Sequence, residues 1–115
     1  MSCIRVFEKN SPEYKNLEKL GAKLHELSAH GTEYRVEETY FDFGQDWVWT
    51  TLIAYKPYAD QRTGELKYST WQALSPRAQE DCVLYGHDDK VIESIARNIH
   101  ESPYNPDTYE ERHGH

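Results

Sequence analysis

The chain has 115 residues, with 20 acids against 13 lysines and arginines, and a net charge of −7 with histidine neutral. That length suits one compact domain. Such a charge repels duplex nucleic acid and anionic membrane surfaces unless basic residues cluster, which they do not. No apolar run nears the roughly 18 residues of a spanning helix, and the opening MSCIRVFEKN lacks the apolar stretch of a signal peptide, so the expected setting is the cytoplasm, without membrane contact.

Cys3 and Cys82 are too few for a disulfide framework or a four-thiolate zinc site and read as reduced, small, buried residues. Leu, Ile, Val and Phe together make up about 18% of the chain, under the roughly 20% that warns of disorder. Nine Tyr and three Trp offset that shortage, because each can bury as much area as a leucine or more.

Residues 3–8 alternate as a short strand. Ser11-Pro12-Glu13 then opens a helix with a capping hydroxyl, a proline at the first helical position and an acid at the positive end of the dipole. Tyr14, Leu17, Leu20, Leu24 and Leu27 form its apolar stripe, and His30-Gly31 is the expected end. Residues 32–43 read as a strand whose apolar phase slips by one, between Tyr34, Val36 and Tyr40 on one parity and Phe41 and Phe43 on the other. Either a bulge near Glu37–Tyr40 or apolar contacts on both faces would explain that slip.

After the Gly44-Gln45-Asp46 turn, residues 47–56 form the strongest strand. They are apolar on both faces and therefore central. Residues 57–65 are a polar loop and 66–72 a further strand, with Tyr68 and Trp71 on opposite faces. Ser75-Pro76 starts a short helix closed by Gly86, with residues 82–86 as an extra strand left open as the alternative. Asp88 caps a last helix striped by Val91, Ile92, Ile95, Ala96 and Ile99. The expected architecture is a single α+β domain over residues 1–101, with an antiparallel sheet of three to four strands and helices on one face. Its order is strand, helix, three strands, two helices; residues 102–115 would be an extended or mobile tail unless a partner holds them.

The order helix, three strands, helix over residues 12 to 101 resembles a double-stranded-RNA-binding domain, and with the first strand added it resembles the ribosome hibernation factors. Those families are lysine-rich at or before the last helix, whereas here His87-Asp88-Asp89 stands there with Lys90 and Arg97. The resemblance implies a topology and transfers no site residue.

The densest chemistry is in the first hairpin, where Glu33, Glu37, Glu38, Asp42 and Asp46 accompany a single base, Arg35. Residues 34 to 71 hold ten of the fifteen aromatics. A half-buried sheet with an acidic rim accounts for such a pattern structurally. Read functionally, it is an interface that anchors through aromatics and steers a basic surface through carboxylates. Glu37, Glu38, Asp42 and Asp46 are the candidates for charge, and Tyr40, Phe41, Phe43, Trp47 and Trp49 the candidate anchors.

His87-Asp88-Asp89 is explained by helix capping, His25 and His30 do not share a helix face, and His113 and His115 make a poor metal pair. No nucleotide-binding, hydrolase, zinc-protease or CxxC motif is present in the sequence. The expectation is therefore a non-catalytic inhibitor without cofactor or metal. It would mask a basic, nucleic-acid-binding type of protein, as immunity proteins and phage or plasmid counter-defence factors do, without contacting nucleic acid itself. A Trp- and Tyr-lined ligand pocket or small enzyme site between sheet and helices is the alternative, and the doubly apolar strand also allows a homodimer.

Overall fold

Ser11 lies in extended backbone and its hydroxyl accepts from the Tyr14 amide, so the first helix starts where cap and proline place it. In this computed structural model, which describes residues 4–42, 46–71, 76–103 and 105–108, that helix is α1 (Pro12–Leu27). It follows a two-residue strand β1 (Ile4–Arg5) and precedes β2 (Glu33–Asp42), β3 (Asp46–Ala59), β4 (Leu66–Trp71), α2 (Pro76–Tyr85) and α3 (Asp89–Glu101). The chain is α+β, with three antiparallel strands and three helices.

As its apolar pattern predicts, β3 is central. It pairs antiparallel with β2 along one edge, and its other edge is shared by β1 near Val48 and β4 from Ala54 onward. Two expectations change here. The first strand was expected over residues 3–8 of an antiparallel sheet, but β1 holds two residues and runs parallel to β3. It stops because the Phe7 amide donates to the Thr50 hydroxyl at 2.9 Å instead of continuing the ladder. Between β1 and β4 the Leu52 amide has no strand opposite, and the buried Gln79 of α2 fills the gap with its side-chain oxygen at 3.2 Å.

β3 also runs through Pro57, which was expected to begin the loop. Pro57 pairs with Tyr68 of β4, while β2 starts opposite Tyr55. By alternation the nitrogen of Pro57 faces the β2 side, so the missing N–H costs no ladder bond.

The core lies between one sheet face and the helices. Leu17, Leu20 and Leu24 of α1 meet Leu52, Cys82, Ile92 and Ala96, with Tyr34 and Val36 packed against them. α1 comes close to the sheet at Gly21, where a Cβ would stand 3.0 Å from a Leu52 methyl and 3.3 Å from Tyr34 Cβ. Residues 82–85 are helical, closing the strand alternative, and α2 ends at Gly86 as predicted. Asp88 caps α3 through the Lys90 amide at 2.9 Å. The predicted stripe turns inward, with Ile92 and Ala96 buried and Ile95 and Ile99 partly so.

Cys82 is fully buried and donates to the Asn16 carbonyl. Burial pushes its thiol up to about 11, only partly opposed by Lys19, so little thiolate exists at neutral pH. In a Cys3→Ser background, Cys82 is expected to resist iodoacetamide until denaturant is added. Labelling at the rate of a free thiol in buffer would contradict this burial.

Candidate interaction surface

The β2–β3 register is unbroken from Glu33↔Tyr55 to Asp42↔Asp46. The suspected bulge is therefore absent, and the phase slip reflects apolar residues placed on both faces. Since paired residues share a face, the hairpin sorts its residues into two sets. With Tyr34 and Val36 on the helix side stand Glu38, Tyr40, Asp42, Asp46 and Val48. On the helix-free side stand Glu37, Phe41, Trp47, Trp49, Ile53 and Tyr55.

The candidate residues thus do not form one interleaved surface. Three acids, Glu38, Asp42 and Asp46, fall on one side with Tyr40. Three aromatics, Phe41, Trp47 and Trp49, fall on the other with Glu37. Phe43, with residues 44 and 45, lies outside the described residues. Asp42 and Asp46 occupy one register position, at the end of the hairpin.

Glu37 is already engaged. The Tyr55 hydroxyl donates to its carboxylate, and this bond, followed by burial, raises the Tyr55 pKa. Arg35 lies over the Tyr55 ring at 4.7 Å and pairs with Glu33 at 2.7 Å. The helix-free face is thus tied together by an acid, base and phenol network, with Thr51 and Ile53 buried within it. On β4 the same face carries Leu66 and Tyr68, both open to solvent. Glu38, by contrast, is exposed on the helix side.

The weaker candidates resolve into structural roles. Asp88 is a cap and Asp89 pairs with Lys19 at 3.2 Å, while His25 Nδ1 donates to the Thr32 carbonyl at 2.9 Å. His113 and His115 lie outside the described residues. Among the described residues, no group of three or more His, Cys, Asp or Glu could hold a metal ion, and no helix is long and apolar enough to cross a membrane. A cleft of about 460 Å³ between α1 and β2 has two of its polar side chains partnered internally, His25 by the Thr32 carbonyl and Glu33 by Arg35.

Sequence reasoning missed a polar cluster at the start of the expected tail. Asn105, Pro106 and Asp107 are buried against the turn that follows α1. The Asp107 carboxylate accepts from the Ser28 hydroxyl (2.6 Å), the Thr32 hydroxyl (2.7 Å) and the amides of Ala29 (2.8 Å) and His30 (3.2 Å). Burial alone would raise its pKa, but these four donors together hold it below the ordinary carboxylate value. Tyr34 is driven well above its usual value by burial first and then by this charge. The Asn105-Pro106-Asp107 turn chemistry was the available sequence signal, since Asn105 accepts from the Asp107 amide at 3.2 Å as such turns do. The cluster also shortens α1: Ser28 caps it in extended backbone, three residues before Gly31.

No known protein-family model matches the chain, nor does any curated protein or solved structure.

Proposed function

We propose that this is a small acidic binding protein that masks a basic site on another protein, with the β2–β3 hairpin as its contact. The observation that carries the reading is the sorting by register. Glu38, Asp42 and Asp46 share one side of the hairpin and Phe41, Trp47 and Trp49 the other. The acid side steers a cationic partner and orients it, while the aromatic side supplies large contact area.

The test is capture of a basic partner from the native host, followed by association kinetics with Glu38→Lys and Asp46→Lys variants. At low salt, association is expected to slow by about ten- to a hundredfold and to lose most of its salt dependence. A partner that binds both variants at the original rate would end the proposal.

A further inference from the structure

We infer that the free edge of β2 binds an extended cationic segment of the partner by strand addition, main chain to main chain. The inference deepens the proposed function and rests on it for the partner's charge. Two hydrogen bonds fix which way the β2 main chain points. The Leu52 amide donates away from β2, to Gln79, at 3.2 Å, so Leu52 and Val36 form a non-hydrogen-bonded pair. The N–H and C=O of Val36 therefore face the outer edge, and the Tyr14 hydroxyl of α1 meets that carbonyl there, at 3.2 Å.

By alternation the main-chain groups of Glu38, Tyr40 and Asp42 also point outward, at intervals of roughly 7 Å. Among the described residues, β2 pairs with β3 alone. The Tyr14 contact marks where α1 covers the edge. From Glu38 onward no described strand pairs with this edge, over a length suited to a short strand. A cleft of about 550 Å³, lined by residues 6–9 and Tyr14 together with Val36, Glu37 and Glu38, lies at the start of this stretch.

Charge decides the occupant. β2 carries four acids and one arginine, so a second copy's β2 would set acid against acid, whereas a lysine-rich strand would place cations beside Glu38 and Asp42. The acids thus discourage self-pairing and favour a basic segment on the same edge.

The probe is a capped peptide of alternating lysine and valine, compared with the same peptide N-methylated on one edge. In amide-resolved NMR, the unmodified peptide should bind saturably and slow hydrogen exchange at the Glu38, Tyr40 and Asp42 amides. The methylated peptide, with equal charge, should bind at least about tenfold more weakly. Tyr40→Pro removes one outward N–H while leaving the β2–β3 ladder intact, and should weaken binding similarly with an unchanged circular dichroism spectrum. Equal binding by both peptides would overturn strand addition and leave the acidic-surface reading standing. Slow exchange at these amides before peptide is added, or concentration-dependent dimerisation through β2, would also overturn it, because the edge would already be occupied.

Discussion

Asp107→Ala is expected to destabilise the protein by about 3–5 kcal/mol. The substitution takes the acceptor carboxylate from two hydroxyls and two amides. The Thr32 hydroxyl is buried and the Ser28 hydroxyl half-buried, and each such donor left unmet costs about 1–3 kcal/mol. The amides of Ala29 and His30, by contrast, are on exposed residues that water reaches, and His30 keeps the Ser28 hydroxyl at 3.3 Å. Against a typical total of about 5–15 kcal/mol, that loss would put a sizeable fraction of the chain near its unfolding midpoint. Urea denaturation of the parent, Asp107→Asn and Asp107→Ala should give a descending series, because asparagine keeps one acceptor oxygen. Equal midpoints for all three would show that the cluster contributes nothing. The pH dependence has a definite sign. A carboxylate whose folded pKa lies below its unfolded value contributes fully above the unfolded pKa and loses that contribution as pH falls through the folded one. The parent should therefore lose stability on acidification below the ordinary carboxylate range more steeply than Asp107→Asn does.

Gly86→Ala should be the second most damaging change, at about 3 kcal/mol, the upper end of what overpacking costs. A Cβ there would overlap the Cys82 carbonyl oxygen and come within 2.8 Å of Asn16. The carbonyl accepts the Gly86 amide at 2.8 Å and belongs to the last turn of α2, so it cannot retreat without unwinding that turn. Asn16 is buried and held between α1 and the end of α2. A drop in the urea midpoint without a change in slope is the expected signature, and an unchanged midpoint would mean that the α1–α2 junction is looser than its packing indicates.

The helices were legible because each announces itself locally. Ser11-Pro12 and Asp88 are caps whose side chains sit where the backbone amides need them, and the leucine and isoleucine stripes can be buried in one direction only. The centrality of β3 followed equally from its two apolar faces. What could not be read were features set by atoms distant in sequence. The end of α1 at Leu27 depends on Ser28 meeting Asp107, and the gap at Leu52 is filled by a glutamine on another element. The candidate hairpin was found as a region, but its division into an acid side and an aromatic side needed the register. Only pairing shows that Glu38 and Asp46 fall on one side of the strands while Glu37, Trp47 and Trp49 fall on the other.

The clamp at Asp107 also bears on the order in which the chain acquires structure. It joins positions 79 residues apart, Ser28 and Asp107, across a loop that contains the whole sheet hairpin and two helices. Contacts so distant in sequence incur loop-closure entropy before they return any energy, so they form late. Until that loop closes, the amides after α1 lack their acceptor and the helix end can fray. The contacts of Leu17, Leu20 and Leu24 with Ile92 and Ala96 close loops of similar length, so the α1–β2 corner and the α1–α3 part of the core are completed at the same stage. Arrival at the native state is then marked by both together, after the local helices and the β2–β3 hairpin have formed.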